Sequence, residues 1–345
     1  MEDSPSLIRM RFIVASYGTK HVGMLLAHLH SIARSHPEAR AAVYWQDIPA
    51  PQIDAIRAAF PTFDFPRTEF EFRGDWIKLI SNKVRAWNRA TTEYASEPAL
   101  CLLDVDTLVL RDLSPFFTKD DADVIFTWKP ERTPLNTGVM LARGGESTSA
   151  FLREWEKRTV EILESPELYT QANDFSLGYG GTDQMSFFQM IGYEPGRTAY
   201  DIEVAGHRVR LRGEPCALLN ETNSRPITDH THVIHYKGGW QPILLQGRRF
   251  TRNRPRAASA EMYALYLDTF MAALRRVNEV TGRSWTPRDF NLHAPAWQRQ
   301  TSAGARALLY SLHVARDYVR SGWEMVGHGM RRAAKELHLT HQNAK

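Results

Sequence analysis

Short apolar runs recur along the first half of the chain: RFIVAS from Arg11, AAVYW ending at Trp45, LLDVDTLVL from Leu102, then DVIFTW and TGVMLA. The first three are separated by segments whose apolar residues fall at helical spacing, from about His21 to Arg34, in PAPQIDAIRAAF, and around Ile77 to Arg89. Fully apolar strands alternating with helices of this length predict an α/β protein, its mostly parallel mixed sheet covered by helices on both faces. Few other architectures bury such strands on both sides.

One of these runs is interrupted by charge. LLDVDTLVL carries Asp104 and Asp106 inside otherwise apolar sequence, where carboxylates are avoided unless something compensates them. Residues two apart in an extended chain project to the same side, so the pair is placed to share one hard divalent cation. Asp121 and Asp123 repeat the pattern in KDDADVIF, but they precede an apolar run and read as a solvated turn. Ligand sites of open α/β sheets lie at strand carboxyl ends, which favours the first pair.

Composition narrows the context. With 345 residues and 43% hydrophobic content the chain can bury a large core. Cys101 and Cys216, its only cysteines, are too few for a disulfide scaffold and suit a reduced, cytoplasmic compartment. Acidic residues in MEDSPSLIRM argue against a secretory signal, and no run reaches the roughly 20 apolar residues that span a bilayer. A net charge of +4 is compatible with nucleic acid, an anionic membrane or a phosphorylated small molecule. The basic residues concentrate in a late helical segment and no nucleic-acid reading motif is present, which disfavours nucleic acid as a partner.

Four further segments carry candidate chemistry. In PLNTGVMLARG, Asn136 and Gly138 open a strand, where they either stabilise a turn or bind a ligand; in GGTDQMSFF, Asp183 and Gln184 open a helix that Asp183 either caps or exposes to a ligand. In HYKGGWQPI, His235 is either an ordinary half-buried histidine or a third ligand, and an imidazole with two carboxylates suits Mn²⁺ or Mg²⁺. In SNKVRAW, Lys83 and Arg85 are either solvated helical charges or phosphate contacts. Glu164 to Thr182 and Asn220 to Asp229 read as long, mobile connections at the ligand edge.

In this order the segments resemble the family 8 glycosyltransferases, retaining enzymes of the GT-A Rossmann-like fold that include glycogenin and bacterial lipooligosaccharide galactosyltransferases. The resemblance runs from about Met10 to Pro242 through RFIVASYGT, LDVDTLVLRDL, Asn136-Thr137-Gly138, Asp183-Gln184 and His235-x-x-Gly238-x-x-Gln241-Pro242. It implies a metal site of Asp104, Asp106 and His235 for Mn²⁺ (or Mg²⁺). It also implies a nucleotide-sugar donor site lined by Tyr17, Lys83, Asp104, Val105, Asn136, Gly138, Lys237, Gly238 and Gln241. Asp183 and Gln184 would stabilise or orient the reacting sugar. The implied activity moves a hexose, most simply UDP-linked, to a glycan or lipid-linked acceptor, as in bacterial surface polysaccharide synthesis. The rival reading is a nucleotide-sugar-binding protein without turnover, motivated by Gln241 where the family usually has lysine; Lys237 is a candidate substitute for that charge.

The expected organisation is a tail over 1–9, a catalytic domain over 10–255 and a helical C-terminal region over 256–345. Within the last, 302–339 reads as a basic amphipathic helix with aromatic residues, which either packs on the domain or rests on an anionic membrane surface. A peripheral position on the inner face of the cell membrane would follow from the second.

Overall fold

The computed structural model describes residues 8–69, 76–128, 135–175, 181–194, 196–222, 227–238, 240–246 and 257–293. The amphipathic tail at 302–339 therefore lies outside the described residues, as does part of the 220–229 connection.

Among the described residues nine strands and ten α-helices follow in chain order. They are β1 (Met10–Tyr17), α1 (Val22–Ser35), β2 (Arg40–Gln46), α2 (Ala50–Ala59), α3 (Trp76–Glu93), β3 (Ala99–Asp104), β4 (Thr107–Val109), α4 (Ser114–Thr118), β5 (Val124–Trp128) and β6 (Leu135–Arg143). After these come α5 (Glu146–Glu164), α6 (Pro166–Phe175), α7 (Thr182–Ile191), β7 (Ala199–Val204), β8 (His207–Pro215), α8 (Cys216–Leu219), β9 (Val233–His235), α9 (Trp240–Gln246) and α10 (Ala257–Thr281). A seven-stranded sheet has the order β2-β1-β3-β6-β5-β8-β7, and β4 pairs with β9 in a separate two-stranded sheet.

The main sheet is mixed. Pairing is parallel from β2 through β1 to β3 and between β5 and β8. It is antiparallel on both sides of β6 and in the β7–β8 hairpin. Alternation along the strands splits the core in two layers. Phe12, Val14, Cys101 and Leu103 face the side covered by α1, α2 and α10, while Ile13, Ala15, Leu100 and Leu102 face the side covered by α3, α5 and α7. Among the described residues no helix is long and apolar enough to cross a membrane.

Two expectations need correction. The run LLDVDTLVL is not one strand: β3 ends at Asp104, the chain turns at Val105 and Asp106, and Thr107–Val109 pairs with β9 instead. The two carboxylates are thus brought together by a turn, not by strand alternation. The connection from Glu164 to Thr182 contains a helix at Pro166–Phe175, with proline at its start and Glu167 in its first turn, both favourable to a helix N-terminus.

The sheet is pinned at its polar end by Arg11, which is buried in β1. Its Nη2 lies 3.0 Å from Glu97 Oε1, its Nη1 2.6 Å from Asp64 Oδ2, and its guanidinium stacks 4.0 Å from the centre of the Tyr94 ring. Removing one partner of a buried pair leaves the other desolvated and uncompensated. Arg11→Ala should therefore destabilise the domain by about 3 kcal/mol, since Arg9 still reaches Glu97, as read by urea denaturation.

Candidate metal and donor site

The carboxyl end of β3, the turn after it, and β9 meet at one point. Register places Thr107 opposite His235, so the imidazole stands beside the turn that carries the acids. His235 Nε2 is 2.9 Å from Asp106 Oδ1 and 3.7 Å from Asp104 Oδ2. One ligand atom from each of the three residues lies within 4.8 Å of the others. This is a mixed nitrogen and oxygen donor set, suited to a divalent cation. The residues expected as ligands are brought together.

Lys83 arrives from α3, packed on the same face of the sheet. Its Nζ is 3.0 Å from Asp104 Oδ1, 3.0 Å from Asp183 Oδ2 and 3.3 Å from Thr137 Oγ1. Thr137 in turn donates to Asp183 Oδ2 at 2.5 Å. One ammonium thus joins a strand end, the start of β6 and the first turn of α7. Burial opposes the charge on Lys83, but the flanking Asp104 and Asp183 raise its pKa above the ordinary lysine value.

The acids respond to their surroundings differently. Burial pushes Asp104 above the usual carboxylate range, with Lys83 and His235 offsetting part of that and Asp106 adding to it. Asp106 is the more deeply buried, which opposes its charge, yet His235, His21 and a hydrogen bond from Gln241 hold it well below that range. Asp183 is also held low against burial, by Lys83 and the Thr137 hydroxyl. A cation between Asp104 and Asp106 would relieve the repulsion that separates them.

Gly138 shows how tightly the site is built. A Cβ there would lie 2.3 Å from His235 Cε1, 2.6 Å from its Nδ1 and 2.9 Å from Asp104 Oδ2. The glycine is therefore required by the close approach of the imidazole. Asn136 accepts from the Gly138 amide at 2.9 Å, as expected of a turn residue, while its buried Nδ2 has no partner among the described residues. An acceptor on a ligand would satisfy that donor.

The other expected residues fall around this centre. Tyr17, at the end of β1, has its phenol pushed well above the ordinary value by burial and then by Asp104. Val105 is half-buried in the turn, and Gln184 is half-buried in the first turn of α7 beside Asp183. Lys237 is half-buried, and Gly238 is exposed with φ of +60°, a left-handed conformation favouring glycine. Arg85 lies 3.5 Å from Glu156. Asp121 and Asp123 do not join the site: both bind Arg210, Asp123 Oδ2 also accepting its backbone amide at 2.8 Å.

Gln241 has a structural role that sequence reasoning missed. Its Nε2 donates to Asp106 Oδ2 at 3.0 Å, and its Oε1 lies 3.2 Å from Lys20 Nζ and 3.4 Å from His21 Nε2. Lys20 thus brings a positive charge to the side of the site where Gln241 brings none. Trp155 was also missed: its Nε1 donates to the Asp183 carbonyl at 2.8 Å and anchors the start of α7.

Gly138→Ala should leave the sheet intact but force the His235 ring out of place, costing about 1–3 kcal/mol in denaturation experiments. Any thermal stabilisation that a divalent cation gives the unmodified chain should disappear in the same variant.

No family model matches the chain, and no curated protein matches it. Among solved structures, the glycosyltransferase GlyE of Streptococcus pneumoniae TIGR4 is similar with a TM-score of 0.51 and 14% identity, over 78% of this chain and 63% of GlyE. Its apo form gives 0.52 and 14% over 79% of this chain and 63% of GlyE. A substituted form of LgtC gives 0.44 and 16% over 84% of this chain and 100% of LgtC. The chain thus spans less than two thirds of GlyE, and at this identity the likeness is one of fold. The mixed sheet with helices on both faces is the GT-A architecture, shared with GlyE.

Proposed function

We propose that the chain is a cation-dependent, retaining glycosyltransferase that moves a hexose from a nucleotide-diphosphate donor, most simply UDP-linked, to a glycan or lipid-linked acceptor. The observation that carries this reading is the convergence of Asp104, Asp106 and His235 within 4.8 Å at a strand end of a GT-A sheet. When bound, Mn²⁺ or Mg²⁺ supplies Lewis-acid neutralisation of the charge that develops on a departing diphosphate. Asp104, Asp106 and His235 would hold it.

The remaining residues take roles that suit their positions. Lys83 adds a buried positive charge beside Asp104 and keeps Asp183 ionised, so the carboxylate of Asp183 can stabilise positive charge growing at an anomeric carbon. Gln184 stands next to it as an orienting amide. Asn136 offers its unpaired Nδ2 to a sugar hydroxyl or a phosphate oxygen. Tyr17 borders the base at the end of β1. Lys20, held near Asp106 through Gln241, supplies the additional cation for the leaving diphosphate, a role for which Lys237 is the alternative.

Release of UDP from UDP-hexoses in the presence and absence of Mn²⁺ tests the reading. Turnover should require the cation and fall at least a hundredfold in Asp106→Ala, whereas nucleotide binding with no release would favour the binding-protein alternative. Lys20→Met should lower kcat roughly tenfold, the loss of about 1.4 kcal/mol of transition-state stabilisation, with Lys237→Met having the smaller effect. The reverse order would assign the charge to Lys237.

A further inference from the structure

The residue that governs His235 lies behind it. Asn220 follows α8 and is fully buried. Its Oδ1 stands 2.9 Å from His235 Nδ1, and its Nδ2 2.8 Å from Thr127 Oγ1. The Thr127 hydroxyl donates to the Asn136 carbonyl at 2.7 Å.

The directions of these bonds follow from counting protons. A hydroxyl has one hydrogen, and that of Thr127 is committed to a carbonyl that can only accept. Thr127 Oγ1 must therefore accept from Asn220, which turns the amide nitrogen of Asn220 toward Thr127 and its oxygen toward His235. An amide oxygen only accepts, so Nδ1 of His235 carries the hydrogen. Nε2 is left as the nitrogen whose lone pair can be used, and Nε2 is the atom that faces Asp106 and Asp104.

We infer that Asn220 is a positioning residue that fixes the tautomer and the ring orientation of His235 for cation binding. The backbone supports the same alignment: the Glu221 amide donates to the Val233 carbonyl and the His235 amide to the Glu221 carbonyl, each at 3.0 Å. These two bonds keep Asn220 level with the imidazole, and Gly138 leaves room for the Cε1–Nδ1 side of the ring. The role belongs to the hydrogen-bonded partner of a metal-ligating histidine, whose loss weakens metal affinity about 10–100-fold.

The inference rests on the reading of Asp104, Asp106 and His235 as a cation site, and calorimetric titration of the full chain with Mn²⁺ alone separates the two. Asn220→Ala should weaken binding tenfold or more, within the range for such partners. Asn220→Asp, which still accepts from Nδ1 once the Thr127 hydroxyl turns to donate to the new carboxylate, should bind Mn²⁺ more tightly than Asn220→Ala, a rescue that a merely space-filling role would not give. If the unmodified chain binds no Mn²⁺, the cation site falls and this role with it. If it binds and Asn220→Ala binds equally well, only the role of Asn220 is overturned. Nitrogen NMR of histidine in the unmodified chain, with Zn²⁺ as a diamagnetic probe, needs no variant to fold: Nδ1 of His235 should retain its proton and Nε2 carry the metal shift. Ligation through Nδ1 would overturn the proposal.

Discussion

The ammonium of Lys83 is the interaction on which the site depends. Asp104 and Asp183 come from β3 and α7; Asp183 is buried and Asp104 partly so, and an uncompensated carboxylate is disfavoured in such surroundings. One cation between them stabilises both, and Thr137 completes its coordination from β6. Four elements are thereby fixed relative to one another at the ligand edge of the sheet. The acid on the other side of the turn is compensated differently, by His235, His21 and Gln241, so neighbouring carboxylates acquire opposite shifts.

The sequence made much of this legible, for identifiable reasons. Apolar runs of strand length announced β1, β2, β3, β5 and β6, and the acids within one run stood out because burial should exclude them. The β7–β8 hairpin was harder, because HRVRLRGEP reads as a polar stretch until Arg212 is seen paired with Asp120 and Glu214. Splitting of LLDVDTLVL between two sheets has no local signal either, since TLV is as good a strand as LCLL and only its partner differs.

Partners distant in sequence were the least accessible. Lys20 meets Gln241, and Thr127 meets Asn220, through contacts that only the folded topology creates. Asn220 in particular sits in LLNET, where an asparagine looks like ordinary loop chemistry. Its meaning comes from β9 running beside it. Gly138 similarly looked like a turn residue, and the imaginary Cβ against His235 is what distinguishes close approach from backbone freedom.

The pairing of β4 with β9 has a consequence for how the protein is made. Asp104 and Asp106 emerge early in synthesis, while His235 follows roughly 130 residues later, so the loop that joins the ligands closes late and slowly. A nascent chain that ends at β6 holds both carboxylates and lacks the imidazole of His235. On the function proposed above, a cation that needs all three donors would be no template for folding; it would act afterwards, drawing the equilibrium toward completed molecules by mass action. Occupancy of the site would then mark a finished domain.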